Sequence, residues 1–228
     1  MGRFDPSLKY KADPQQIMKS FTLPIVLLAA CVLAGCASNP AVSAKKAGIQ
    51  TVGVEPRVDA RQGMRYGFSS QGGGGLALAL ADMITDSAGQ KGITRMSAVM
   101  AEHKIIVSEL VRERLTECLR QNKDLEFSEK EPDGTFIATI LQYGFDVPGF
   151  QGSVKAPVIQ LRVELRSRSG KEIWSNQSSL YSLTSKDIGS TYDEYEANPE
   201  KLRADWIKQI DHVLASIIQN DKTPSPKP

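Results

Sequence analysis

The side chain best placed for covalent chemistry in this chain is the thiol of Cys36, which follows Leu33, Ala34 and Gly35. A thiolate is the strongest side-chain nucleophile near neutral pH. Ala34 and Gly35 before it are small and leave the backbone open to close approach. Other patterns with chemical potential are poorer. Ser43-Ala44-Lys45-Lys46 has S-x-x-K spacing but stands in a polar stretch with nothing to form an oxyanion hole. Gly72 to Ala77 satisfies G-x-G-x-x-A only because four glycines stand in a row, and no convincing strand leads in. His103 and His212 have no HExxH neighbourhood, and no CxxC pair or other zinc-ligand spacing occurs. Asp193, Glu194 and Glu196 are near-adjacent carboxylates, better explained by the helix N-terminus they precede. The expectation is therefore a protein that is not an enzyme, with no metal and no cofactor.

The apolar block that leads to Cys36 runs from Phe21 to Gly35, fifteen residues broken only by Thr22 and Pro24. A helical bilayer span needs about 20, whereas the apolar core of an export signal takes roughly 7–15. Met18-Lys19 supplies a short positive start, while residues 1–17, with Asp5 and Asp13, read as a leader from a mis-set start codon. The closing Leu33-Ala34-Gly35-Cys36 resembles the lipobox of bacterial lipoproteins. That resemblance implies a signal peptide over 18–35 recognised through Leu33, Ala34 and Gly35, acylation of Cys36, and cleavage just before it. With Ala37 and Ser38 following in place of an aspartate, it also implies the outer membrane, periplasmic face. An unlipidated export signal, or a core helix that happens to hold a cysteine, are the other readings of the same block.

Of 28 basic and 26 acidic side chains, four (Arg3, Lys9, Lys11, Lys19) and two (Asp5, Asp13) lie before Cys36, which leaves 24 of each. A chain of zero net charge has no general attraction to polyanions, so no nucleic-acid partner is expected. Cys31 leaves with the signal and Cys36 is committed to lipid, so Cys118 has no cysteine to pair with. It sits at the apolar spacing of a helix and is expected in the core.

The elements that would position these residues follow from periodicity. Residues 36–48 carry the lipidated cysteine and a small, polar, non-periodic tether. A domain over 49–218 begins with a strand at Ile49–Val54, followed by a Gly-rich insert over 67–92 that contains Leu76, Leu78 and Leu80. Val107, Leu110, Val111, Leu115, Cys118 and Leu119 mark one face of a helix. Strands are expected near Leu125 and over Thr135–Val147. The strict alternation of Ile159, Leu161, Val163 and Leu165 predicts a half-exposed strand paired through a turn with Glu172–Leu183. Asn198 and Pro199 open a last helix with Leu202, Trp206, Ile210, Val213, Leu214 and Ile217 in one stripe. Residues 219–228 form a Pro-rich tail of disordered composition.

This order predicts an α+β fold, a two-layer sandwich with a mainly antiparallel sheet and helices packed on one face. It resembles the small periplasmic domains of outer-membrane lipoproteins related to the curli secretion lipoprotein and to the activators of penicillin-binding proteins. The expected function is that of a lipid-anchored accessory protein that binds an envelope protein partner near the outer membrane. Its candidate partner surface is Gly72–Ile84, with Leu76, Leu78 and Leu80, together with Tyr192 and Tyr195 among the acids. The competing expectation is a subunit of an outer-membrane secretion or pore assembly that uses the Gly-rich insert. Against it, no paired alternating stretches of about ten residues occur outside the hairpin.

Overall fold

In the computed structural model, which describes residues 39–66, 90–146, 154–178 and 188–218, one long strand organises the sheet. The chain order is α1 (Pro40–Lys46), β1 (Thr51–Val54), β2 (Asp59–Ala60), β3 (Arg65–Tyr66), α2 (90–102), α3 (Val107–Gln121), β4 (Glu126–Phe127), β5 (Gly134–Asp146), β6 (Ala156–Ser167), β7 (Glu172–Gln177), α4 (Tyr192–Ala197) and α5 (Pro199–Ile218). All of these belong to the unit Ser38–Pro228.

β5 pairs antiparallel with β6 from Gly134↔Ser167 to Asp146↔Ala156, and β6 continues antiparallel into β7. The alternation in β6 explains why: Ile159, Leu161, Val163 and Leu165 are fully buried on one face, as expected. On the other edge of β5 the chain does something different. β1, β2 and β3 run parallel to it in succession, at Val52↔Gly134, Asp59↔Thr139 and Arg65↔Gly144, and β4 adds parallel to β1. The two-layer α+β sandwich is present, but its sheet is mixed rather than mainly antiparallel. Strands of two residues carry no readable alternation, so their direction could not be inferred from pattern.

A bulge between Ile140 and Gln142 resets the side-chain alternation of β5. Before it, Phe136, Ala138 and Ile140 face the core; after it, Tyr143 and Phe145 do, on odd positions. Both later rings meet Trp206 of α5, with centroids 6.2 and 5.8 Å away. The α5 stripe is buried as the sequence predicts, and Asn198 Oδ1 accepts from the Lys201 amide to cap it. α5 and α3 are joined by Arg114 Nε donating to Asp211 Oδ1 at 2.7 Å. Cys118 is only half-buried, since it lies on the flank of α3 beside Asp211 rather than beneath it. β7 is described as far as Gln177, so the rest of the expected strand to Leu183 lies outside the described residues from 179 onward.

Two helices went unforeseen. α2 places Ile93, Met96 and Met100 on its buried face at i, i+3 and i+7. α1 overturns the expected tether: residues 40–46 are helical, with Ala41 and Ala44 buried in the main core and the helix packed against β7. Asn39 Oδ1 accepts from the Ala41 amide at 2.8 Å, Pro40 takes the first turn, and Lys45 and Lys46 sit at the C-terminal end of the dipole. Gly48, at φ 73°, then reverses the chain into β1 in a conformation that an L side chain rarely adopts.

Candidate partner-binding surface

The residues singled out by sequence fall into two groups. Leu33, Ala34, Gly35 and Cys36, and with them Leu76, Leu78 and Leu80 of Gly72–Ile84, lie outside the described residues. Tyr192 and Tyr195 are described, and they are not an exposed recognition patch.

Tyr195 is fully buried. Its hydroxyl donates to Asp205 Oδ2 at 2.9 Å, with the Lys155 carbonyl 3.2 Å away. Asp205 also accepts from Lys201 Nζ at 3.0 Å and from the Gly189 amide at 3.3 Å. Burial first, and then the charge of Asp205, push the Tyr195 hydroxyl far above its ordinary value, so it stays a neutral donor. This buried knot fastens the chain around Ser190 and Lys155, which exchange backbone hydrogen bonds at 2.7 and 3.0 Å, to α5. Tyr192 is half-buried, with its ring edge-on to Phe145 at 5.9 Å. The acids between the tyrosines form their own short helix, α4. Thr191 Oγ1 accepts from the Glu194 amide, and Glu194 Oε2 accepts from the Thr191 amide. That capping box was legible as Thr191-x-x-Glu194 and is the signal that the carboxylate reading overlooked.

α4 in turn holds α2. Arg95 donates through Nε and Nη2 to both oxygens of Glu196, at 2.8 and 2.6 Å, and through Nη2 to Asp193 at 2.7 Å. The hydrogen bond from Arg95 keeps the Glu196 carboxyl below its ordinary range. A Cβ at Gly92 would meet the Tyr192 ring at 2.1 Å, so only glycine lets α2 come this near α4.

These contacts bring the two flanks of the insert together. Tyr66 at the end of β3 pairs with Phe145, Phe145 meets Tyr192 edge-on, and Tyr192 lies on Gly92. The residues that flank 67–89 on both sides thus meet around Phe145 and Tyr192. Beside that corner runs an apolar groove of 300 Å³ between the short parallel strands and the α2–α3 junction, lined among others by Met64, Met100, Ile105, Ile106, Ile140 and Tyr143. Ile106 is 45 % exposed, which makes it one of two large apolar side chains standing so far out among the described residues. The other grooves are more polar. One between α3 and α5 holds Cys118 with Arg114 and Asp211, where burial pushes the thiol up and makes it a poor nucleophile. Among the described residues no cluster of three or more His, Cys, Asp or Glu could hold a metal, and His103 and His212 are exposed and far apart in the chain. The described helices include none long and apolar enough to cross a membrane.

No family model matches the chain, and no curated protein does. Solved structures do show likeness. Protein XCC0632 from Xanthomonas campestris, of family DUF330, is 10% identical over 75% of this chain and 81% of its own, with a TM-score of 0.40. The hypothetical protein CT253 from Chlamydia trachomatis is 10% identical over 75% of this chain and 95% of its own, at 0.38. Lipoprotein GNA1162 from Neisseria meningitidis is 12% identical over 68% and 97%, at 0.23. At these scores the likeness is one of loose layout among bacterial proteins, and no residue's role is drawn from it.

Proposed function

We propose that this chain is a lipid-anchored accessory protein of the bacterial envelope, acylated at Cys36, that captures an envelope protein at the corner where the flanks of the insert meet. The reading places it at the outer membrane, facing the periplasm. The observation that carries it is the apolar groove beneath Ile106. A chain with 24 basic and 24 acidic side chains from Cys36 onward, and an exposed isoleucine on an apolar cleft, is suited to hydrophobic capture of a protein segment rather than to polyanion binding. Leu76, Leu78 and Leu80, which stand in the sequence between the two flanks that meet there, would supply further apolar contact area.

Whole-cell crosslinking tests it. A discrete envelope adduct is expected with the full chain, lost on deletion of residues 72–84 and weakened by Ile106→Asp. Because the residues flanking 67–89 meet at one corner, the deletion is expected to leave the cooperative urea transition in place. An adduct unchanged by both alterations would overturn the surface assignment. Detergent-stable rings of the chain would replace this reading with a pore or secretion subunit.

A further inference from the structure

We infer that α1 is a lipid-contacting element: its outward stripe, Val42 with Lys45 and Lys46, rests on anionic headgroups and sets how the domain stands on the membrane. This rests on the anchoring of Cys36 proposed above and goes beyond it to a named surface and a named occupant.

The first support is reach. With 40–46 folded into the core, only Ala37, Ser38 and Asn39 separate Cys36 from α1. Fully extended, the step from Cys36 to Pro40 covers about 14 Å. The headgroup layer of one leaflet is roughly 6 Å deep, so it takes up nearly half of that span. A cysteine held at the hydrocarbon boundary therefore keeps the start of α1 within about 8 Å of the outer face of the headgroups. The twelve-residue polar tether expected from sequence would have allowed about 40 Å of freedom, and α1 removes most of it.

The second support is which side of α1 is free. Pro40, Ala41 and Ala44 turn inward, the last two being 3% and 0% exposed. Val42, Lys45 and Lys46 lie at i, i+3 and i+4, and all three are exposed. Val42, at 45%, is the other large apolar side chain standing well clear of the described surface. One apolar side chain flanked by two ammonium groups matches a headgroup layer, where apolar atoms settle between lipids and cations meet phosphates. Lys45 has one ionic neighbour across the surface, Asp124 at 4.0 Å, and both side chains are about two-thirds exposed, so that pair is weak and leaves the lysine available.

The test uses the full acylated protein in a Cys118→Ser background, with an environment-sensitive fluorophore on Val42→Cys or, for comparison, on Ile106→Cys. It is reconstituted in vesicles of phosphatidylcholine alone or mixed with phosphatidylglycerol. Headgroup-nitroxide lipid is expected to quench the probe at 42 several-fold more than the probe at 106, more so with phosphatidylglycerol present. Lys45→Gln with Lys46→Gln is expected to weaken the docked state about 25-fold, about fivefold per lysine. Equal quenching at 42 and 106, indifference to both lysines, or quenching set by protein concentration rather than lipid (a second copy on α1) overturns the inference. Co-flotation and the mass of the N-terminal peptide separate this from the anchor. Flotation with no quenching at 42 sinks the headgroup contact alone; a chain that neither floats nor carries acyl mass sinks both.

Discussion

The two edges of β5 are built on different plans. Toward β6 it makes one long antiparallel ladder, interrupted by a single bulge and backed by the α5 stripe. Toward the other side it meets three parallel fragments, each only long enough for two or three partners, joined by irregular chain. The first edge is cooperative: each residue of the ladder supports its neighbours, and opening it means opening the core. The second edge is assembled piecewise, so its parts can loosen one at a time. The groove under Ile106 and the flanks of the insert lie on this second edge. The proposed capture surface would thus lie in the region that can adjust without unfolding the domain.

Cutting into the ladder should have the largest effect. Leu161→Ala empties a fully buried site between β6 and the helices and is expected to cost about 2–5 kcal/mol, read as a lower urea midpoint with every probe moving together. Gly144→Ala strikes the other edge, because its Cβ would sit 1.8 Å from the Arg65 carbonyl oxygen at φ 157°. About 1–3 kcal/mol is expected, most of it as detachment of β3. Amide exchange should show residues 64–66 losing protection while 158–165 keep theirs; uniform loss across both would erase the contrast between the edges.

The smallest effect concerns protons at the head of the piecewise edge. Asp133 accepts from the Thr51 amide, the Thr51 hydroxyl and the Gln50 amide, at 3.2–3.3 Å. Those Thr51 and Gln50 bonds hold its carboxyl below the ordinary value. A carboxyl lower in the folded state than in the unfolded chain binds fewer protons when folded. Its contribution is therefore complete above the ordinary carboxylate range and fades as pH falls through the folded value. Glu194 and Glu196 are shifted the same way, by Ser190 and by Arg95. Urea midpoints should drop on acidification below the ordinary carboxylate range. Asp133→Asn should flatten only part of that slope, since the two α4 carboxylates keep the rest.

The ladder edge was largely legible in the sequence and the piecewise edge was not, for physical reasons. Ile159, Leu161, Val163 and Leu165 announce themselves because a strand of twelve residues repeats its period several times. β2 and β3 hold two residues each, less than one useful repeat, and their placement is decided by β5 rather than by themselves. α1 escaped notice because its buried contacts are alanines, which fit against β7 by being small and leave no apolar stripe to count. Tyr195 looked like a recognition residue because its neighbours are acidic. The partner that explains it, Asp205, is ten residues away on the next helix.

The replacement of a cord by a wedge at the front of the domain also has a mechanical side. Tension that arrives at Asn39 passes directly into a helix seated against β7. A pull at that point would be felt by the hairpin and the layer behind it, which would move together as a single stiff lever.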